Sequence, residues 1–468
     1  MLADIGLVGL GVMGGNLALN MAEKGFTVAV HSLDWDAVTT FVAEAGDLGQ
    51  RLIPARTMAE FVGRIRAPRS VILLVPAGAV DVVMRQLGAA LSRGDSVIDA
   101  GNSDYHETER RQREMAQFGV TVLGVGISGG HEGARNGPSI MAGGPVQAYR
   151  MVEPVLTAVS AKFEGEACCA WLGPGGAGHF VKTIHNGIEY ADIQMIAEIY
   201  GVMRDGLGLT APEMAKVFED WNRGRLNSYL IEITARVLAT IDEATTRPLV
   251  DLIVDRAEQK GTGRWAVIEA QRLGVSAETL EAAVGARVLS SLGQQRSAAE
   301  KLYAIPRGRW KAPKEAAIPV LEQALFAGKI MAYAQGFAVM AHASEENVWN
   351  LPLGTIASIW RAGCIIRSQF LDIITDTFRM DEATLNLLLA PRFIAMMSEN
   401  HQGLRETVAE AARAGLPVPA LSAALAAFDG YRQARGTANL IQGLRDYFGS
   451  HSFERSDRVG AQHGPWNR

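Results

Sequence analysis

Cysteine is scarce in this sequence, with only 3 among 468 residues. Cys168 and Cys169 are adjacent, and the three cysteines have no zinc-ligand spacing, so neither a disulfide framework nor a metal site is expected. Positive charge is not in excess either, because 45 Lys and Arg stand against 50 Asp and Glu, for a net charge of −5. This balance argues against a nucleic-acid-binding protein.

Long apolar runs are also lacking. No uninterrupted run of 18 apolar residues occurs, so we expect no membrane span. The N-terminus is apolar but has no basic leader and is interrupted by Gly6, Gly9 and Gly11, so we expect no signal peptide. Together with the scarcity of cysteine, these absences predict a cytoplasmic protein.

Glycine is what the sequence has in excess, since 50 of 468 residues is about 11% against an average near 7%. Many of these glycines lie where short apolar runs give way to helix-like segments such as Asn16–Lys24 and Tyr105–Gln117. This alternation predicts a Rossmann-like, doubly wound α/β domain over residues 1–176. The predicted strands are Ile5–Val8, Thr27–Val30, Ser70–Val75, Ser96–Asp99 and Val120–Val125.

From residue 177 to about residue 435 the pattern is almost entirely helical. It contains an internal repeat, because Trp221–Thr234 resembles Trp360–Thr375 and Ala197–Met203 resembles Ala334–Met340. Two copies predict a large all-α domain over residues 177–435 with an internal duplication. The polar residues that end the chain predict a C-terminal tail over residues 436–468 that is either flexible or bound to a partner.

A glycine-rich turn follows the first predicted strand and precedes the first predicted helix: Gly9, Leu10, Gly11, Val12, Met13 and Gly14. In this pattern one glycine permits the tight turn, one admits a pyrophosphate to the backbone, and one lets helix and strand pack closely. The phosphate then lies on the helix N-terminus. The motif therefore predicts a dinucleotide site, whereas a bare glycine turn without a ligand is the alternative.

A polar stripe lies on the predicted helix that starts near His179. Lys182, His185, Asn186, Glu189 and Tyr190 share one helix face, while the remaining surface is largely apolar. A solvated face with a weak ion pair is one interpretation. A cleft wall is the other, in which partial burial lowers the pKa of the lysine and raises that of the carboxyl group, so that they act as base and acid.

Two further loops contain groups that can bind anions. Ser128, Gly129 and Gly130 follow a predicted strand, where backbone N–H groups can face a carboxylate, although an ordinary loop is equally compatible with the pattern. Lys260 and Thr262 lie in a glycine-rich loop that can hold a phosphate.

These motifs resemble the decarboxylating 6-phosphogluconate dehydrogenases, within the β-hydroxyacid dehydrogenases. The resemblance spans nearly the whole chain. The segments that carry it are Ile253–Trp265, Gly178–Tyr190, Ser128–Gly130, Glu132–Arg135 and Gly137–Ser139.

The resemblance implies oxidation of 6-phosphogluconate by a nicotinamide cofactor, loss of CO2, and release of ribulose 5-phosphate, in the pentose phosphate pathway and without a metal. It makes Lys182 the base and Glu189 the acid, and it implies a homodimer whose Arg445 and His451 reach the neighbouring subunit's site. The implied substrate-binding residues are Asn102, Ser128, Gly129, Gly130, His185, Asn186, Tyr190, Lys260, Thr262, Arg287, Arg445 and His451. The implied cofactor-binding residues are Gly9, Leu10, Gly11, Val12, Met13, Gly14, Ser32, Leu33, Asp34, Val75, Pro76, Ala77 and Asn102.

Cofactor choice depends on the loop after the second predicted strand. NADP-dependent members of the family usually have arginine where this chain has Leu33, and Asp34 lies about 20 residues after Gly14, the usual distance for an acid that binds a ribose 2′-hydroxyl. We therefore expect NAD to be preferred. The alternative is that Asp34 turns outward and that Arg51 or Arg69 reaches the 2′-phosphate of NADP.

Two other functions compete with this one. A β-hydroxyacid dehydrogenase for a non-phosphorylated acid would not need Lys260, Arg287 and Arg445 together, and a catalytically idle cofactor-binding protein would not keep the Lys182 and Glu189 pair. Several positions also depart from the usual family residues: Glu258, His131, Pro76 and Ala142.

Overall fold

The structure is a computed structural model of the chain and describes residues 2–259, 261–381, 384 and 386–466. The N-terminal part is an eight-stranded sheet in the order β10-β7-β6-β5-β4-β1-β2-β3. All neighbouring strands are parallel except β6 and β7. The strands of this part, including the small β8–β9 hairpin, are β1 Ile5–Val8, β2 Val28–His31, β3 Leu52–Pro54, β4 Ser70–Leu73, β5 Ser96–Asp99, β6 Thr121–Ser128, β7 Ser139–Gly143, β8 Lys162–Phe163, β9 Glu166–Ala167 and β10 Cys169–Gly173.

Helices connect these strands, as parallel neighbours require. Apolar clusters lie on both faces of the sheet, which is the doubly wound arrangement predicted from the sequence. The helices are α1 Val12–Glu23, α2 Trp35–Glu44, α3 Met58–Gly63, α4 Val80–Ala90, α5 Tyr105–Ala116, α6 Gly130–Asn136 and α7 Val146–Val159.

The predicted strands differ from the observed ones mainly at the carboxyl ends. β1 and β5 have the predicted bounds, β2 starts one residue later than predicted, β4 ends two residues earlier, and β6 runs on to Ser128. The extension of β6 is stabilised by antiparallel pairing with β7, for example Ser128 with Ser139. The sequence did not predict β3, β7 and β10, which are short or rich in small residues, and β3 contains Pro54, which only an edge strand tolerates.

The rest of the chain is helical up to a small C-terminal hairpin. Its elements are α8 Ala177–Gly201, α9 Ala211–Trp221, α10 Tyr229–Ala239, α11 Thr262–Arg272, α12 Glu278–Ser290, α13 Gly293–Tyr303, α14 Lys314–Glu346, α15 Leu353–Ile359, α16 Phe370–Met380, α17 Pro391–Ala414, α18 Pro419–Tyr431, α19 Ala438–Gly449, β11 Phe453–Arg455 and β12 Arg458–Gln462.

The internal duplication is visible where the two copies meet. Ser228 and Ser368, which lie at equivalent positions of the repeat, form an antiparallel bridge. Asp192 and Lys329 are also equivalent, since they precede the repeated segments at Ala197 and Ala334 by five residues, and their side chains form a buried ion pair with an N–O distance of 2.5 Å. The two copies therefore contact each other through equivalent residues.

Helix α14 is the central core helix. By length and composition alone it could cross a membrane, a possibility that the search for uninterrupted apolar runs missed, because a few polar residues interrupt it. However, 94% of its most apolar window is buried inside the protein. Such burial is what a core helix of a large helical domain requires.

The C-terminal tail, from Thr437 to Trp466, stands apart from this core. Its helix α19 exposes large apolar side chains, among them Leu440 at 66% and Phe448 at 73%. Among the residues that the structure describes, every hydrogen bond and ion pair of the tail joins two tail residues.

Candidate active site

The glycine-rich turn lies at the carboxyl edge of the sheet, between β1 and α1. Gly9 has a φ of 102°, and a Cβ on Gly14 would lie 1.8 Å from the Gly9 carbonyl oxygen, so the turn and the close helix–strand contact both require glycine. A Cβ on Gly11, in contrast, would meet nothing within 4 Å. Open space at Gly11, beside the amide groups of the first turn of α1, fits a dinucleotide pyrophosphate.

A cavity of about 210 Å³ opens beside this turn. Seven of the predicted cofactor-binding residues line it: Gly9, Leu10, Gly11, Ser32, Leu33, Val75 and Pro76. Val12 and Met13 begin α1, Ala77 begins a short 3-10 turn, and Asn102 is exposed in the loop between β5 and α5. The residues that line this cavity include His31 but no lysine or arginine.

The loop that selects the cofactor ends in the N-cap of α2. Asp34 accepts a hydrogen bond from the Ala37 N–H at 3.0 Å, and Leu33 is 94% exposed. Arg51 donates to the Gly25 carbonyl at 2.6 Å, and Arg69 pairs with Asp95 at 3.2 Å. Both arginines therefore lie at the amino ends of their strands, at the opposite edge of the sheet from Leu33.

Lys182 lies in the first half of α8, where this helix packs across β6. The lysine is only 7% exposed. A Cβ on Gly126 would lie 2.3 Å from the Cβ of Lys182, so glycine in β6 is what allows the helix to approach the strand. Packing thus holds the lysine beside the carboxyl end of β6, the edge at which open α/β sheets bind ligands.

The polar side chains around Lys182 form one continuous hydrogen-bonded chain. Lys182 Nζ donates to Asn186 Oδ1, and Asn186 Nδ2 donates to Thr262 Oγ1 at 2.8 Å. His185 Nε2 lies 3.2 Å from Ser128 Oγ. The stripe is therefore largely buried, and the interpretation as a solvated face is wrong.

Burial shifts the pKa values of Lys182, His185 and the nearby Glu189. It lowers the pKa of Lys182, against the attraction of Glu189, and raises the pKa of Glu189, against the attraction of Lys182 and Arg287. Burial, with the Lys182 charge as a further cause, holds the pKa of His185 well below its usual value. Its Nδ1 faces two acceptors, Asn186 Oδ1 at 3.3 Å and Glu189 Oε2 at 3.7 Å, so the neutral ring carries its proton there.

A second group of predicted residues gathers around Tyr190 on α8. The Arg287 guanidinium lies 3.8 Å from the centre of the Tyr190 ring, and the backbone at Gly263 packs against the same ring. Thr262, which immediately precedes Gly263, is the first residue of α11. Lys260 lies outside the residues that the structure describes.

Among the described residues, no hydrogen bond or ion pair connects Arg445 or His451 of this chain to the residues around Lys182. Both are exposed in the tail. Arg445 donates to Gln442 Oε1 at 3.0 Å, and the His451 ring folds over Gly449.

Three residues of the second repeat copy also reach the site and were missed as site residues. The fully buried Trp360 packs edge-on against the His185 ring at a centroid distance of 5.3 Å. The Gly363 carbonyl lies against the Gly129 backbone, and the buried thiol of Cys364, whose pKa burial raises to about 12, lies near enough to feel the Lys182 charge. The repeat of Trp221–Gly224 at Trp360–Gly363 was the signal that could have identified them.

No group of three or more His, Cys, Asp or Glu that could hold a metal ion occurs among the described parts of the chain. A glycine-rich turn at the carboxyl edge of a doubly wound sheet, together with a buried lysine and a largely buried carboxyl group, is the arrangement of a nicotinamide-dependent dehydrogenase.

Comparisons with known proteins identify the family. Residues 4–173 match the NAD binding domain of 6-phosphogluconate dehydrogenase, and residues 178–466 match the C-terminal domain of 6-phosphogluconate dehydrogenase. The chain belongs to the decarboxylating 6-phosphogluconate dehydrogenases, which are NAD(P)-dependent oxidoreductases.

Individual relatives match this chain over 99% or more of their length. The chain is 46% identical to the NAD(+)-dependent decarboxylating 6-phosphogluconate dehydrogenase of Bacillus subtilis, over 100% of both chains. It is 45% identical to the NADP(+)-dependent enzyme of the same organism, over 99% of both. The solved 6-phosphogluconate dehydrogenase of Plasmodium falciparum superimposes with a TM-score of 0.95 at 39% identity, covering 99% of this chain and 100% of that one.

Proposed function

We propose that this chain converts 6-phosphogluconate to ribulose 5-phosphate and CO2, with the chemistry carried by the buried Lys182–Asn186–Thr262 chain and Glu189. A nicotinamide dinucleotide bound at the glycine-rich turn supplies the hydride acceptor for C3 of the substrate. The single observation that carries the proposal is that Lys182 is buried and the nearby Glu189 side chain is only 19% exposed, with pKa values shifted toward neutral pH from opposite sides.

Lys182 acts first as a base. Its lowered pKa increases the fraction of neutral amine, which takes the proton of the C3 hydroxyl as the hydride leaves C3. The resulting ammonium then donates a hydrogen bond to the new C3 carbonyl. A polarised ketone β to the carboxylate accepts the electron pair of the C1–C2 bond, so that C1 leaves as CO2 and an enediol remains.

Glu189 acts last, as an acid. Its raised pKa keeps the carboxyl group protonated to higher pH, and the proton goes to C2 of the enediol, which becomes C1 of ribulose 5-phosphate. The neutral His185 ring lies between Ser128 and Glu189. Its Nε2 faces the Ser128 hydroxyl group and its Nδ1 faces the Glu189 carboxyl group.

The remaining residues divide into two binding groups. Asn102, Ser128, Gly129, Gly130, His185 and Asn186 hold the carboxylate and hydroxyl end of the substrate. Tyr190, Lys260, Thr262 and Arg287 hold the phosphate, together with Arg445 and His451 from a second subunit.

Because Arg445 and His451 come from a second subunit in this proposal, the enzyme must be a homodimer, and the surface of the tail supports this. Its exposed apolar side chains, including Leu440, Leu444 and Phe448, require a cover, and a second copy of the chain supplies one. In this arrangement residues 1–176 bind the cofactor, residues 177–435 bind substrate and dimerise, and residues 436–468 reach the partner. The three cysteines are free thiols, which fits the cytoplasm.

NAD is the preferred cofactor in this proposal. The cavity beside Leu33 has no lysine or arginine among its lining residues, and the Asp34 carboxylate at the N-terminus of α2 would repel the 2′-phosphate of a nearby NADP. Arg51 and Arg69, the alternative phosphate partners, are bonded at the opposite edge of the sheet.

The test supplies 6-phosphogluconate with NAD or NADP and follows reduced cofactor and CO2 together. We expect one CO2 for each reduced cofactor. Reduction without CO2 would instead indicate a simple β-hydroxyacid dehydrogenase, and no reduction would indicate an idle cofactor-binding protein.

A further inference from the structure

One carboxylate organises the whole C-terminal tail. The Asp446 side chain is 1% exposed although most of the tail around it faces solvent. Its Oδ1 accepts from the Ser452 N–H at 2.9 Å and from His463 Nδ1 at 2.6 Å. Its Oδ2 accepts from the Gly464 N–H at 2.9 Å and from Trp466 Nε1 at 2.8 Å.

These four bonds join α19 to both ends of the β11–β12 hairpin. The Gly464 amide, with the other donors, lowers the pKa of Asp446 to about 2, so the group is ionised throughout the neutral range. The hydrogen bonds from these four donors to one ionised carboxylate are charge-assisted and directional. An amide in its place could accept on one atom only, so the arrangement is specific to a carboxylate.

The same residue controls the backbone on both sides of His451. Ser450 and Ser452 have φ values of 50° and 55°, a left-handed conformation that residues with side chains rarely adopt. The Ser450 N–H donates to the Asp446 carbonyl, and the Ser452 N–H donates to its carboxylate. Such a strained turn persists only where surrounding bonds hold it, and here both bonds go to Asp446.

We propose that Asp446 is a positioning residue, which holds Arg445 and His451 as one preformed unit for the substrate phosphate of the neighbouring subunit. The inference rests on the proposed function, in which Arg445 and His451 bind that phosphate. Arg445 immediately precedes Asp446 on α19, and His451 occupies the strained turn. Because the unit is already formed within one tail, little ordering is left to oppose substrate binding.

The test is Asp446→Asn, measured as KM and kcat with 6-phosphogluconate, with the dimer monitored by sedimentation at the assay concentration. We expect KM for 6-phosphogluconate to rise by about tenfold or more, while kcat changes by less than about threefold and KM for the cofactor is unchanged. The matched control is Asp457→Asn, because Asp457 is an exposed carboxylate of the same tail that pairs with Arg455 in the hairpin turn. This control should keep the wild-type KM.

Arg445→Ala and His451→Ala separate this inference from the function on which it rests. If both raise KM and Asp446→Asn does not, the positioning role is wrong while the phosphate site stands. If neither raises KM, the proposed phosphate site itself fails. If Asp446→Asn dissociates the dimer and lowers kcat without a selective rise in KM, Asp446 is only structural and the inference is overturned.

A milder variant keeps the test valid if Asp446→Asn does not fold. Trp466→Phe removes one of the four donors, the indole N–H, and keeps an aromatic ring against Phe453. We expect a rise of about twofold to fivefold in KM for 6-phosphogluconate with kcat unchanged. An unchanged KM in this variant would overturn the inference.

Discussion

Two parts of the candidate site are built in opposite ways. The closed part consists of Lys182, His185 and Asn186 on α8, which are buried and hydrogen-bonded to one another and to Ser128 and Thr262. The open part consists of Leu33 in the cofactor loop and of Arg445 and His451 in the tail, which are exposed in the single chain. The two parts therefore differ in what holds their side chains in place.

This difference assigns different tasks to the two parts. Burial in the closed part shifts pKa values and fixes proton donors, which is what acid–base chemistry needs. In the open part, Arg445 and His451 offer positive or hydrogen-bonding groups to the substrate, and Leu33 offers no charge to the cofactor. Such groups affect affinity and selectivity. Changes in the closed part should therefore alter turnover, and changes in the open part should alter binding or cofactor preference.

The largest effect is expected at Lys182. Lys182→Met should lower kcat by about 10²–10⁴-fold or more, because in the proposed mechanism the lysine takes the C3 hydroxyl proton and then polarises the carbonyl. Cofactor affinity, measured by titration of fluorescence, should stay near the wild-type value. Lys216→Met, at an exposed position on α9, is the matched control and should keep full activity. A Lys182 variant with most of its kcat would refute the base assignment.

The next effect concerns Glu189 and pH. Its raised pKa predicts that activity falls as pH rises through that pKa and the acid loses its proton, whereas the lowered pKa of Lys182 predicts a fall as pH drops through that value and the base gains one. Glu189→Gln should lower kcat by about 10²-fold and remove the alkaline limb of the kcat/KM profile. The exposed Glu232→Gln on α10 should change neither. An alkaline limb that survives in Glu189→Gln belongs to another group.

Mixing two variants that each have low activity at 6-phosphogluconate concentrations far below the KM of the His451 variant tests whether the open part acts between subunits. Lys182→Met and His451→Ala, once their dimers have exchanged, should recover about a quarter of wild-type activity, since half of the dimers are mixed and each mixed dimer has one intact site. Exchange is verified with two differently tagged chains. Complete exchange without recovered activity would place His451 in the site of its own subunit.

The smallest effect is the cofactor preference. We expect wild-type kcat/KM to favour NAD, and Leu33→Arg with Asp34→Thr to shift the ratio toward NADP by about tenfold, which corresponds to 1.4 kcal/mol. Arg56→Ala is an informative control, because the exposed Arg56 follows β3 at the same sheet edge. A wild-type preference for NADP of tenfold or more, lost in Arg56→Ala, would identify Arg56 as the phosphate partner and contradict the role of Leu33 and Asp34.

Several features of this molecule could be predicted from local sequence. The turn from Gly9 to Gly14 and the strands β1 and β5 are local patterns, and the spacing of Lys182, Asn186 and Glu189 already placed them on one helix face. Strands β7 and β10 could not be predicted in this way. Each has only five residues, several of them small, and they are strands because β7 pairs with β6 and β10 pairs with β7.

The sequence by itself determined the dinucleotide turn and the polar stripe, because each depends on residues within about one or two helical turns of each other, and it determined the class of fold through the order in which such local patterns follow one another. Only the tertiary structure decided whether the stripe was solvated or buried, and it did so by packing α8 against glycines of β6 and by bringing Trp360 to His185. It also decided that Asp446 closes the tail on itself. These outcomes depend on contacts between residues far apart in the chain, and it is the exclusion of water at such contacts that turns ordinary lysine and glutamate side chains into groups with shifted pKa values.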